Sequence, residues 1–557
     1  MKQFLFACIL LIGMNACSYG QDRAMPSFAI NDLATRKVNV VMAAIENLYV
    51  DTINKNKLAE DAIISLLEKL DPHSAYMTVE EVKEATESLQ GNFDGIGIQF
   101  NMLTDTLYVI EVIAGGPSEK IGILAGDKII YVDDTLIAGV KMKNTDIMSK
   151  LKGPKGTTVH VKILRRGYRE LLDFKIIRDK IPVYSISSHY MIDKKTGYIK
   201  LIRFARTTRE EFINALEKLK AQGMENLILD LQYNGGGYLE AATELSNEFL
   251  NPGSLIVYTE GVNQRRSEER ANNSGSFKNG KLVILVDESS ASASEIVAGA
   301  VQDWDRGVII GRRTFGKGLV QRPIPLPDGS MIRLTTAHYY TPTGRSIQKP
   351  YTEGDRESYN KEVIDRIELG EIISADSIHF SDSLKYTTLI NNRTVYGGGG
   401  IMPDYFVPFD TTGTIYVART TSLYRELYYK SAIFKYIRTV IEENRKKYQE
   451  QYPDFNSFKR NFTVSNSMLN DMMEIYKKEK AEELGENVYQ LTEEQQKDLE
   501  KSRSWLLQEI KMLIAREIFS ENEYYQLWNP FLDPYNKAIE IISNESEYNK
   551  LLSQDSR

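Results

Sequence analysis

The sequence predicts a multidomain protein, an α/β core with a β-rich module inserted ahead of it and a helical region behind it. Three observations carry this. Apolar strands alternate with amphipathic segments from Gly197 to about Thr341, and short strands with Gly-rich turns fill Gly91 to about Lys180. Beyond about Arg419 the chain is charged, Tyr-rich and poor in glycine, with helical periodicity. At 557 residues and 42% hydrophobic, it can bury a core in each of two or three domains.

Met1 to Gln21 reads as an export signal, with residues 1–20 as the removed segment. Lys2 is a short positive region, Phe4 to Met14 an apolar run too short to span a bilayer, and small residues follow. The mature protein is therefore expected outside the cytoplasm, in the periplasm. Two cleavage modes stay open. Ser18-Tyr19-Gly20 suits ordinary signal peptidase, whereas Met14-Asn15-Ala16-Cys17 reads as a loose lipobox that would place a lipid anchor on Cys17. The only other cysteine, Cys8, lies inside the signal, which excludes disulfides, Cys-based metal sites and a Cys nucleophile from the folded domains. A net charge of −7 with no Lys/Arg block excludes a basic field for nucleic acid.

Residues 27–90 form an N-terminal helical part, because Val38, Val41, Met42, Ile45 and Leu48 recur at helical spacing; the stretch closes with Leu70-Asp71-Pro72-His73-Ser74. Residues 91–180 form the β-rich module, with strands near Thr106 to Ile113 and Thr158 to Arg165 and a helix near Asp146 to Leu151. Residues 181–410 form the core. Its strands near Asn226 to Leu231, Leu282 to Val286 and Val308 to Ile310 alternate with helices near Leu239 to Leu250 and Glu295 to Trp304, the pattern of parallel pairing. Residues 411–557 are the helical C-terminal region.

Three loops of the core carry candidate chemistry. Strand Leu282 to Val286 runs into a serine loop from Asp287 to Glu295, and a serine at a strand-to-helix turn can project its hydroxyl into a cleft beside free helix N–H groups. Serines before a helix also serve simply as N-caps. Next, Gly311 to Gln321 places Lys317 between two glycines; it lacks the Gly-x-x-x-x-Gly-Lys-Ser/Thr pattern of a phosphate loop. Third, Leu229 to Gly237 ends a buried strand in three successive glycines, which can turn amides inward as an oxyanion hole requires or can be only a tight turn. All three loops follow strands of one α/β pattern, where ligands gather beyond the carboxyl ends.

Together these loops resemble the C-terminal processing (tail-specific) peptidases. The family's serine stretch stands here as Ser290-Ala291-Ser292-Ala293-Ser294-Glu295 and its lysine stretch as Thr314-Phe315-Gly316-Lys317-Gly318; Ser292 and Lys317 keep the family's spacing of 25 residues. The likeness runs from about Asn31 to Phe406. It includes Leu70 to Ser74, Tyr340 to Gln348 and Gly400 to Asp404, but reads Asn234-Gly235-Gly236-Gly237 where Asn-Pro-Gly-Gly is usual.

The resemblance implies a crotonase- or Clp-protease-like core and an exported serine endopeptidase without cofactor or metal. It makes Ser292 the nucleophile and Lys317 the general base, and it places Gly236 and Ala293 in the oxyanion hole. Gln321, four residues beyond Lys317, can orient the amine without adding a charge. The lysine must be buried to act, since at its reference pKa only on the order of one in a thousand is neutral near pH 7. A histidine base is the rival, but none of His73, His160, His189, His338 and His379 has a motif placing it beside the serine loop.

Residues Gly91 to about Lys180 resemble a PDZ domain, with Gly95, Ile96, Gly97 and Ile98 as the segment that receives a peptide's terminal carboxylate. The implied partners are proteins or peptides with unstructured apolar C-termini. An inactive envelope scaffold that only binds is the alternative function. The last 140 or so residues are open between packing on the core, making a homo-oligomer and docking an adaptor protein.

Overall fold

A computed structural model describes residues 32–553 apart from 104, 114 and 125. The expected signal, including Cys17, lies outside the described residues. The chain divides into a small unit ending at Ser65 and a large one from Leu66 onward. In the first, helix Leu33–Leu48 starts at Asp32, whose carboxylate accepts from the Thr35 amide at 2.8 Å as an N-cap. Helix Lys55–Glu68 begins in that unit as well.

The large unit is centred on a six-stranded sheet. Its strands lie in the order Ile186–Met191, Thr196–Leu201, Asn226–Asp230, Leu282–Val286, Val308–Gly311 and Tyr405–Phe406, and only the first runs antiparallel. Leu282–Val286 is buried at every residue, as a strand covered on both faces must be. Helices Thr208–Ala221, Leu239–Asn247 and Ala293–Asp303 pack one face through Phe212, Leu216, Leu245 and Val297. Helix Asp533–Ser543 covers the other through Tyr535, Ala538 and Ile541.

The tail therefore completes the core. Asn522 Oδ1 accepts from the His189 amide at 2.7 Å, and the Tyr548 hydroxyl pairs with the Leu282 backbone at 3.0 and 3.1 Å. Of the three open uses of the C-terminal region, its last three α-helices show packing on the core.

A second, antiparallel sheet borders the first. The long strand Met331–Tyr340 pairs with Ala75–Met77, Leu255–Gly261 and Leu319–Pro325, and Gln264–Arg270 extends it. Residues 319–325 and 331–340 form a hairpin that the sequence reading did not identify.

Strand Asn92–Gly95 pairs antiparallel with Asp179–Pro182, so the chain enters and leaves the β-rich module side by side. The module orders its strands Ile98–Leu103, Thr106–Val112, Lys128–Val132, Thr158–Leu164 and Leu172–Ile177 around Leu107, Ile129, Ile147 and Val161. Ile98–Leu103 is its edge strand. Helix Ala432–Gln451 places the Arg438 guanidinium over the Tyr108 ring, 3.3 Å from its centre, beside a cavity of about 490 Å3 that Gln99, Phe100 and Asn101 of the edge strand also line. That helix, with Asn466–Leu484 and Glu493–Ile518, closes a separate core on Phe458, Tyr476 and Trp505.

Candidate active site

Ser292 stands at the N-terminus of helix Ala293–Asp303 with φ +55° and ψ −113°, a region that non-glycine residues rarely adopt. The structure separates the alternating serines by their hydrogen bonds. Ser290 Oγ donates to the Leu231 carbonyl at 2.9 Å and Ser294 Oγ to the Asn234 carbonyl at 2.8 Å, both fully buried. Of the three, only Ser292 lines the adjoining cleft, a space of about 460 Å3. Met77, Val82, Leu89, Ile296 and Leu319 give that cleft an apolar wall.

Lys317 lines the same cleft from the neighbouring loop. Its Nζ donates to Gln321 Oε1 at 3.2 Å, and Gln321 Nε2 in turn donates to the His73 carbonyl at 2.8 Å. Burial, then the Arg333 charge, lowers the Lys317 amine to about 8, against the opposing pull of Glu295 and Asp71. The His73 ring pairs with the Tyr359 hydroxyl at 2.8 Å, and burial followed by the Lys317 charge holds it near 3. This imidazole is neutral at neutral pH and already committed to a tyrosine.

Glu295 joins the two loops. Its Oε2 accepts from the Ser292 and Lys317 amides at 2.8 and 2.9 Å, and its Oε1 from the Thr314 hydroxyl and Gly316 amide at 2.6 and 2.8 Å. The carboxyl is fully buried, and that burial raises it to about 7 against these four donors. From the other side, the Tyr339 hydroxyl donates to the Lys317 carbonyl at 2.6 Å and reaches the Ser292 carbonyl at 3.2 Å. Sequence reading took Glu295 only as the start of a helix. The Ser-x-x-Glu spacing from Ser292 is the signal that points to it, since that is the pattern of a carboxylate reaching back to the helix start.

Gly236 sits against the serine loop at φ +98°, and a Cβ there would come within 2.8 Å of the Ala291 carbonyl oxygen and 2.9 Å of the Ala293 nitrogen. No side chain fits. Its amide donates to Asn234 Oδ1 at 2.9 Å, so it is engaged in this structure. The Ala293 amide, at the first turn of the helix, has no acceptor among the described residues.

In the β-rich module, the Ile96 carbonyl accepts from the Ser118 amide and hydroxyl at 3.1 and 2.7 Å, and the Gly97 carbonyl from the Ile113 amide at 3.0 Å. These bonds fix the Gly95–Ile98 turn. The strand that follows pairs only with Thr106–Val112 within its sheet.

Comparison with known proteins matches residues 195–358 to peptidase family S41, residues 95–176 to the PDZ domain and residues 423–520 to a family of unknown function. The chain is 38% identical over 313 residues to the carboxy-terminal-processing protease of Bartonella bacilliformis, covering 55% of this chain and 71% of that one. The chain belongs to the carboxy-terminal processing proteases of family S41. To the carboxy-terminal processing protease CtpB of Bacillus subtilis it is 33% identical over 337 residues, covering 59% of this chain and 69% of the relative. As a carboxy-terminal processing protease it is a serine-type peptidase that carries a PDZ domain. The matched peptidase segment contains the glycine, serine and lysine loops, and the matched PDZ segment begins at Gly95.

Proposed function

We propose that this peptidase is exported, cleaves proteins and peptides with a Ser292–Lys317 dyad and selects them by their C-termini through the Gly95–Ile98 edge. The observation that carries the dyad is a buried amine lowered to about 8 in one cleft with Ser292, the only one of the three alternating serines that lines it, Ser290 and Ser294 being spent on backbone carbonyls. At that pKa roughly one lysine in ten is neutral near pH 7, against fewer than one in a thousand at the reference value.

In this reading Lys317 Nζ takes the proton of Ser292 Oγ, and the oxygen adds to the scissile carbonyl carbon. The resulting oxyanion is received by the Ala293 amide and by Gly236, whose amide must turn from Asn234 to serve. The ammonium then protonates the leaving amine, and water attacks the acyl-enzyme with the same lysine as base. Gln321 holds the amine by a neutral acceptor, so no added charge raises its pKa. Within the PDZ domain, an incoming strand adds to the open edge at Ile98–Leu103 and its carboxylate meets backbone amides at the turn.

Cleavage of a protein substrate by the purified enzyme tests the dyad: Ser292→Ala and Lys317→Ala must each abolish it. Selection is tested with one peptide bearing a free or an amidated end. Losing one charge-assisted hydrogen bond predicts about tenfold slower turnover of the amide, and equal rates reject C-terminal recognition. Intact mass of the mature N-terminus tests export. A start at Gln21 without lipid excludes the anchor on Cys17, and an uncleaved Met1 rejects the signal.

A further inference from the structure

Two cations line the cleft and neither has an ion pair among the described residues, but only Lys317 has a side-chain hydrogen bond, to Gln321. Arg333 lies on strand Met331–Tyr340, opposite Ala75 on one side and Pro323 on the other, and its side chain lines the cleft that holds Ser292, Lys317 and Gln321. It is solvent-accessible there, and it has neither an ion pair nor a hydrogen bond among the described residues.

The nearby carboxylates are all committed elsewhere. Asp71 accepts from the His73 and Ser74 amides, the Ser74 hydroxyl and the Thr335 hydroxyl, and Glu295 is filled by its four donors. The remaining charges felt by Arg333 and its neighbours are positive, from Lys317, Arg356 and Lys349. A planar guanidinium facing a cleft that offers it no carboxylate among the lining residues is suited to bind a substrate carboxylate by two parallel N–H bonds.

We propose that Arg333 is a specificity residue that receives a substrate carboxylate close to the scissile bond. That carboxylate is either an acidic side chain or the terminal group of a short tail. The assignment rests on the cleft being the active site, and it goes beyond that reading by naming what the cleft prefers. The partner's charge would also offset the like charge that Arg333 brings to Lys317.

The test compares kcat/KM for peptides sharing one cleavage sequence, with Glu or Gln placed beside the scissile bond and, in a second pair, a short tail ending there as free acid or amide. Measurements are made on the alkaline plateau, where Lys317 is neutral in every variant. The wild-type enzyme should favour the carboxylate of at least one pair by about tenfold, and the pair that responds names the source. In Arg333→Met that ratio should fall to about one, and in Arg333→Glu it should invert in favour of a Lys peptide. Should those variants not fold, Arg333→Lys must shrink the ratio while keeping its sign, because the charge remains and the paired geometry does not. Wild-type cleavage with no carboxylate preference overturns the assignment and leaves the dyad standing, as does a ratio unchanged by substitution. No cleavage of any peptide by the wild-type enzyme removes the dyad and the assignment together.

Discussion

Replacing Lys317 with methionine should stabilise the fold at neutral pH while abolishing activity. The amine is held at about 8, below its ordinary 10.5, chiefly because burial disfavours its charge. Each pKa unit corresponds to about 1.36 kcal/mol, so folding the ammonium into this cleft costs about 3 kcal/mol. Methionine has similar length and no charge to desolvate. The sign follows from linkage. Below the folded value the lysine is protonated in both states and the full cost is present; between about 8 and 10.5 the folded state is neutral first, and the cost fades. Urea denaturation of Lys317→Met and wild type should therefore show the variant more stable by about 2 to 3 kcal/mol near pH 7, with the difference shrinking towards zero as pH approaches 10.5. A variant that is less stable at neutral pH, or a gain independent of pH, would refute the claim that burial lowers this amine at the expense of the fold.

Glu295→Ala orphans three amides and a hydroxyl in a buried setting, so denaturant titration should show a loss of about 3 kcal/mol or more, and activity should fall with it. Gly236→Ala forces a Cβ against the Ala291 oxygen and the Ala293 nitrogen, and steady-state kinetics should show kcat/KM reduced about a hundredfold or more with the PDZ domain still binding peptide. In Gln321→Glu an anion replaces the neutral acceptor of the Lys317 amine; the pH–rate profile should move alkaline by about one unit or more, with activity recovered at high pH.

The layered core was legible because its strands are continuous apolar runs and its helices amphipathic, as at Leu282–Val286 and Ala293–Asp303. The hairpin carrying Gln321 and Arg333 was not, because its strands are half-exposed and mix Pro, Arg, Thr and Tyr instead of alternating cleanly. Ser292 was singled out by resemblance alone, since three serines at alternate positions look equal in sequence. Only the partners of Ser290 and Ser294, contributed by a distant loop, separate them physically. Glu295 could be read as a helix-start residue but not as the bond between two loops 22 residues apart, because that role depends on the Lys317 loop folding back over it. The tail's last helices gave no sequence sign of their target: Tyr548 and Asn522 meet backbone of the core sheet, which carries no side-chain signature.

The central claim is that Ser292 is a nucleophile activated by Lys317. Labelling with a fluorophosphonate that reacts with activated serines, read by peptide mass, tests it most directly. A single adduct is expected on Ser292, formed at a rate that rises with pH through about 8, and none in Ser292→Ala or Lys317→Arg. An adduct on another residue, or Lys317→Arg labelling Ser292 as fast as wild type, would contradict it.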